Sequence, residues 1–133
     1  MIISECMFPY AGAGGYIFAL GIYNNNKVKS LKKVIDAVHA HGEYFFAQFW
    51  NNGRTADLEV LQKEGHKHVS LSVNYIDGGN MFDTKKKAHD KGDLLHFLTL
   101  GKIGHIKKYY ITGAKYAFKA GADGVEVHAA GGY

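Results

Sequence analysis

The chain has 133 residues, 47% hydrophobic and 21% charged, which is enough for one domain with a real core and ordinary for a soluble globular protein. Its formal net charge of +4 is spread over separate lysine groups at 27–33, 85–87 and 107–108, whereas a nucleic-acid binder concentrates cations on one face, so we expect no nucleic-acid partner. A single cysteine excludes an intramolecular disulfide, and there is neither a signal-peptide pattern nor an apolar run of the ~18 residues that a membrane span needs, so we expect a cytoplasmic protein without a membrane partner.

The first part of the chain predicts a strand, a loop and a helix. Residues 1–4 form the strand, and the glycine-rich loop YAGAGGY at 10–16 lacks the GxGxxG spacing of a dinucleotide-binding turn. Apolar residues then recur at helical spacing between Lys27 and Ala40. Asparagines at 24–26 are good N-cap residues, and Gly42 is a typical residue just beyond a helix end.

The segment EYFFAQFW at 43–50 is the clearest strand. Its apolar run is nearly continuous, which is typical of a strand buried on both faces. Gln48 interrupts the run and must form hydrogen bonds if it is buried. Its partner is either a neighbouring backbone group or water, or else a polar ligand, since an amide can both donate and accept.

Residues 56–98 are predicted to form an excursion between two strands of the sheet. It begins with a short helix at 56–64 and continues at 65–92 as a polar surface segment that includes Gly78 and Gly79. His66 and His68 lack acidic or cysteine partners at a recognisable spacing, so we predict no metal site.

The last part of the chain predicts a long helix at 100–119, with Thr99 as its N-cap, followed by AGADGVEVHAAGGY at 120–133. A turn leads into a short strand at 125–128, and Gly131 and Gly132 then allow a sharp turn before Tyr133. Strand–helix alternation predicts an α/β fold with a parallel sheet. About three strands and two main crossover helices are too few to close a barrel, and the strands' carboxyl ends are where such folds place their chemistry.

Four segments in this order resemble the Old Yellow Enzyme family, and its fungal branch most closely. They are IISE at 2–5, AGGY at 13–16, AQFWNNGR at 47–54 and AGADGVEVHAAGGY at 120–133. The resemblance implies an FMN-dependent NADPH dehydrogenase, or ene-reductase, on a TIM (β/α)8 barrel. It also implies that residues 1–133 are a fragment covering only the second to fourth strands of a barrel of about 250 residues or more.

The resemblance assigns roles to individual positions. Gln48 matches a glutamine that hydrogen-bonds the flavin ring, and Trp50 matches a bulky residue of the substrate pocket. His128 matches the histidine that binds the carbonyl oxygen of an enone-type substrate. Tyr133 matches the tyrosine that protonates the substrate's α-carbon after hydride reaches the β-carbon. Cys6 stands close to the flavin, where this branch usually has glycine.

The chain also departs from the family pattern. Gly131 stands where a second oxyanion donor, asparagine or histidine, is usual. The resemblance further implies that the phosphate-binding arginines and glycines belong to later strands. We therefore expect reduced or no activity and weak retention of FMN. The alternatives are a non-catalytic truncated relative or interaction module without flavin, and a basic binding module. Uncovered sheet edges also predict self-association.

Overall fold

A computed structural model describes residues 1–75, 84–92, 94–131 and 133. The helices and strands follow in chain order: β1 Ile2–Ile3, α1 Asn25–Ala40, β2 Phe45–Phe49, α2 Leu58–Lys63, β3 Val69–Ser70, α3 Thr84–Lys91, β4 His96–Phe97, α4 Leu100–Ala120 and β5 Gly124–Val127. Gly78 and Gly79 of the predicted excursion and Gly132 of the predicted final turn lie outside the described residues.

The main sheet has three parallel strands in the order β1-β2-β5. Ile2 lies opposite Phe45, and Phe46 lies opposite Gly124. Helix α1 connects β1 to β2, while the excursion and α4 connect β2 to β5. The predicted α/β architecture of about three parallel strands and two main crossover helices is therefore confirmed.

Both long helices begin as their sequences predict. The side chain of Asn24 accepts a hydrogen bond from the backbone N–H of Lys27 at 3.0 Å, and Thr99 accepts one from Lys102. Each bond satisfies a backbone donor that the first helical turn leaves open. Gly42 follows α1 with a φ of +75°, and Gly121 ends α4 with a φ of +103°, both in the left-handed region that favours glycine.

One face of β2 forms the centre of the core. Phe45, Ala47 and Phe49 are buried in one cluster with Ile35 of α1 and Ala117 of α4. The alternation of side chains across a strand turns the intervening residues to the opposite face.

That opposite face corrects the prediction that β2 is buried on both sides. Phe46 and Gln48 are only partly buried. The two crossover helices cover the face that carries Phe45, and none of the described elements covers the other face to the same extent. The sequence of β2 is apolar enough for a strand buried on both faces. Sequence alone, however, does not show which elements of the chain are present to cover each face.

The excursion contains more structure than predicted. Strands β3 and β4 form a second, parallel pair, and α3 packs beside α2. Lys87 and Lys91 of the third helix form ion pairs with Asp57 and Glu59 at 3.1 and 3.2 Å. Ala88, Leu95 and His68 are fully or almost fully buried, so this part of the chain has a small core of its own.

Asp123, in the turn before β5, joins three parts of the fold. Its carboxylate accepts hydrogen bonds from the backbone N–H of Phe45 and from His39 of α1, both at 2.8 Å. The Phe45 N–H, and next His39, hold the pKa of Asp123 below its usual range.

The lowered pKa of Asp123 means that the folded state loses stability as the pH falls. A lowered pKa in the folded state stabilises the protein above the unfolded pKa of about 3.9, and that stabilisation is lost as the pH falls through the folded value. We expect Asp123→Asn, which keeps an acceptor for Phe45, to make acid unfolding depend less steeply on pH below about pH 4. Asp36→Asn, at an exposed position of α1, is the matched control. Acid unfolding is followed by circular dichroism as the pH is lowered. The same dependence of unfolding on pH in Asp123→Asn and in the unaltered protein would contradict this assignment.

Two further observations concern the described part of the chain. None of its helices has the length and apolar character that crossing a membrane requires. It also contains no group of three or more His, Cys, Asp or Glu side chains arranged to hold a metal ion.

Candidate active site

The site is built where β2 and β5 end side by side. Gln48 lies opposite Glu126, and the backbone N–H of His128 donates to the carbonyl of Phe49 at 2.8 Å, so the pairing extends one residue beyond β5. Because side chains two residues apart in a strand share a face, Gln48 and Trp50 lie on one side of the sheet, as do Glu126 and His128. The partly exposed face of the sheet thus carries two successive rows of side chains.

The first row, which we term the carboxamide row, consists of Cys6, Gln48 and Glu126. The Cys6 thiol donates to Oε1 of Gln48 at 2.6 Å, and Nε2 of Gln48 donates to a carboxylate oxygen of Glu126. The backbone of Gln48 is also held, since its N–H donates to the Ser4 hydroxyl at 3.0 Å. Burial raises the pKa of the Cys6 thiol, and the charges of Glu126 and Glu5 raise it further.

The second row is an aromatic cluster of Trp50, His128 and Tyr133. The ring centroids of His128 and Tyr133 are 5.5 Å apart, those of Trp50 and Tyr133 are 5.0 Å apart, and those of Trp50 and His128 are 6.5 Å apart. Phe8 stacks on Trp50 at 5.7 Å between ring centroids, with the two rings nearly parallel. The indole Nε1 of Trp50 is buried and has no hydrogen-bond partner among the described residues, although an indole N–H can only donate.

The phenol of Tyr133 stays protonated at neutral pH, so its proton is present at the site. Partial burial raises its pKa, and the neighbouring Tyr16 raises it further. Tyr133 follows a turn in which Gly131 adopts a φ of +76°. A Cβ at Gly131 would lie 2.7 Å from the Tyr133 ring and 3.7 Å from Nε2 of His128, so this glycine lets the two side chains approach.

A cavity of about 450 Å³ opens beside the aromatic cluster. His128 and Tyr133 form part of its wall, and Ile106 and Tyr110 of α4 and Leu98 form another part. Its volume falls within the range of small-molecule pockets. Gln48, Cys6 and Trp50 are not among the described residues that line it, so the cavity lies next to the aromatic cluster and not over the carboxamide row.

The structure thus brings the predicted residues together in two sets. Trp50, His128 and Tyr133 form one, and Gln48 and Cys6 form the other on the neighbouring row of the same face. Sequence reasoning missed Glu126, which bonds Gln48 directly. The available signal was its position two residues before His128 on one strand, which places both side chains on one face.

Asn51, immediately beyond Trp50, supports the loop next to the site. Its side-chain amide donates to the Tyr10 hydroxyl at 2.7 Å and its carbonyl oxygen accepts from the backbone N–H of Gly53 at 2.9 Å. Burial raises the pKa of Tyr10 to about 12, and its ring stacks on Tyr109 of α4 at 4.7 Å. This phenol is therefore a structural contact between the loop and α4.

Comparison with known families gives one match over the entire chain. The model of the NADH:flavin oxidoreductase / NADH oxidase family matches residues 1–133. Among curated proteins, Enoate reductase 1 of Kluyveromyces lactis is 34% identical over 133 residues, covering 100% of this chain and 33% of the relative. A Probable NADPH dehydrogenase of Candida albicans is 36% identical over 134 residues, covering 100% of this chain and 32% of the relative.

Solved structures agree with these relatives. The crystal structure of Old Yellow Enzyme from Pichia sp. AKU4542 superposes with a TM-score of 0.91 at 36% identity, over 98% of this chain and 33% of that one. This chain therefore spans about a third of the length of the proteins it matches. The partial TIM barrel that the resemblance implied is confirmed by this superposition.

Proposed function

This chain belongs to the NADH:flavin oxidoreductase / NADH oxidase family, and from that premise we propose that it supplies part of the flavin and substrate site of an NADPH-dependent ene-reductase. The proposed substrates are small molecules with an activated alkene, such as α,β-unsaturated carbonyl compounds. The observation that carries the proposal is the adjacency of the carboxamide row and the aromatic cluster on one face of a parallel sheet, at its carboxyl end.

The donor set fits the ring of FMN. Gln48 offers an amide that can both donate and accept, as the polar edge of an isoalloxazine requires. The buried, unpartnered Nε1 of Trp50 adds a donor nearby. Cys6 lies at the end of the carboxamide row, where its side chain would approach the ring. When bound, FMN would supply hydride transfer from NADPH to the alkene.

The protein's own part is to bind and polarise the substrate. Reduction at the β-carbon leaves negative charge on the carbonyl oxygen, and a donor aimed at that oxygen lowers the barrier. We assign this role to the imidazole of His128, with Trp50 shaping the pocket. Tyr133, 5.5 Å from His128 between ring centroids, would give its phenolic proton to the α-carbon. Gly131 adds no second side-chain donor, so the proposed activity is reduced relative to full-length family members.

The alternative function is that of an interaction module without flavin. What favours it is exposed apolar surface on the edge strands, since Ile2 and Ile3 are each 44% exposed and Val127 is 57% exposed. Among the described elements, β1 and β5 each pair on one side only. Unpaired strand edges promote association with further strands.

A single purified sample separates these functions. We expect added FMN to be bound weakly, with its fluorescence quenched on titration but most of it lost on gel filtration, and we expect slow NADPH-dependent reduction of cyclohexenone when FMN is in excess. No quenching and no turnover, combined with dimers or larger species by light scattering, would support the interaction module. Stoichiometric yellow protein after gel filtration would refute weak retention, because the phosphate-binding strands would then not be needed.

A further inference from the structure

We propose that Glu126 and Cys6 are positioning residues that fix the orientation of the Gln48 amide. That orientation determines on which side the amide offers a hydrogen-bond donor, and on which side an acceptor, to the polar edge of a heteroaromatic ligand. The two contacts lie at opposite ends of the amide, with Oε1 toward the Cys6 thiol at 2.6 Å and Nε2 toward the carboxylate of Glu126. The inference rests on the proposed function for its ligand, and on these contacts alone for the positioning.

The chemistry of the two neighbours permits one orientation of the amide. A carboxylate only accepts hydrogen bonds, so the NH₂ group must face Glu126. A thiol is a weak donor, so the carbonyl oxygen faces Cys6. The flipped amide would set its oxygen against the carboxylate oxygens, which is repulsive, and would gain only a weak N–H···S contact with Cys6 in exchange. The register of the sheet enforces this arrangement, since Gln48 and Glu126 are directly opposite in the β2–β5 pair.

The remaining hydrogen-bonding capacity of Gln48 then has a fixed direction. A primary amide has two N–H groups and two lone pairs on its oxygen, and the row uses one of each. The unused N–H and the unused lone pair lie side by side on the outer edge of the amide, with the donor toward β5 and the acceptor toward β1. A ring edge of the form O=C–N–H, as in the pyrimidine half of an isoalloxazine, complements that edge when its oxygen lies toward β5. Glu126 would therefore act on ligand binding through Gln48, without touching the ligand itself.

The first arm of the test does not require FMN. In the ¹⁵N-labelled protein, the two side-chain N–H signals of Gln48 should be well separated, because one N–H is bonded to Glu126 and the other is not. Glu126→Gln keeps the shape of the side chain but can donate as well as accept, and we expect it to move these signals toward those of free glutamine amides. Cys6→Ala should move them less and Cys6→Ser should restore them. Glu5→Gln, which removes the same charge from an adjacent residue outside the row, should leave them unchanged.

The second arm measures FMN binding by fluorescence quenching in the same variants. Loss of one oriented hydrogen bond is expected to weaken binding about fivefold to tenfold in Glu126→Gln, and less than twofold in Glu5→Gln. Unchanged Gln48 signals in Glu126→Gln would overturn the positioning. If the Gln48 signals shift in Glu126→Gln but Glu126→Gln and Glu5→Gln bind FMN with equal affinity, the proposed role of Glu126 in ligand binding is overturned. If the unaltered protein does not bind FMN at all, the proposed function fails, and the amide signals still decide the positioning separately.

Discussion

Replacing Gly113 of α4 is expected to destabilise the protein, although the same replacement at Gly104 of the same helix is expected to stabilise it. A Cβ at Gly113 would lie 2.8 Å from the Cβ of Pro9, 3.1 Å from its Cα and 3.4 Å from its carbonyl oxygen. Real Cβ contacts are not found below 3.0 Å, and a buried proline ring attached to the backbone cannot rotate away. A Cβ at Gly104 would meet no atom within 4 Å.

The magnitudes follow from two opposing effects. Alanine is favoured over glycine inside a helix by roughly 1 kcal/mol, which is the expected gain at Gly104. At Gly113 the same gain is opposed by overpacking, which costs typically about 1–3 kcal/mol, and more when the side chain is branched. We expect Gly113→Ala to lose about 1 kcal/mol and Gly113→Val about 3 kcal/mol. Urea unfolding provides the measurement, with a change in midpoint at constant slope.

The comparison of the two glycines also tests how the site is positioned. Pro9 lies in the loop that begins with Met7 and Phe8, and Phe8 stacks on Trp50 of the aromatic cluster. Close packing of α4 on Pro9 therefore fixes one wall behind Trp50. Stabilisation by alanine at both glycines would show that the loop yields to α4, and the site would then have a movable wall.

The regular elements of this chain could be predicted because their signals are local. Asn24 and the helical spacing of apolar residues define α1, and Thr99 defines the beginning of α4, since a cap and a periodic face need no knowledge of the rest of the fold. Resemblance to the Old Yellow Enzyme family, carried mainly by 47–54 and 120–133, is likewise confirmed by the family match.

The features that the sequence did not predict depend on residues that are distant along the chain. Strands β3 and β4 are two residues each and are stabilised by pairing across a separation of more than 20 residues, so neither carries a strand pattern of its own. The bond from Gln48 to Glu126 depends on the register of two strands 78 residues apart, which periodicity does not give. Sequence identified Gln48 as a residue in need of a partner but could not choose between a ligand and a neighbour. The structure supplies neighbours, and the flavin role of Gln48 remains a prediction.

His128→Ala is expected to lower the rate of enone reduction by about 10²- to 10³-fold, which is the usual consequence of losing one donor to a developing oxyanion. The reason is that the turn after His128 offers no second side-chain donor. Gly131 has no side chain, so His128 is the only side chain of the proposed donor pair that can reach the substrate oxygen. Its ring is held beside Trp50 and Tyr133 by contacts of 6.5 and 5.5 Å between centroids, and removing it leaves no substitute at that position.

The measurement is the rate of NADPH oxidation with cyclohexenone, made with FMN in excess so that occupancy is equal in all variants. His41→Ala, at the exposed end of α1, removes a histidine far along the chain from the site and should leave the rate unchanged. A loss of less than about tenfold in His128→Ala would mean that the oxyanion is stabilised by another group. Trp50→Phe is then the variant to compare, because Nε1 of Trp50 has no hydrogen-bond partner among the described residues and the indole ring lies 6.5 Å from the imidazole of His128 between centroids. A larger loss in that variant would move the catalytic assignment from the histidine to the indole.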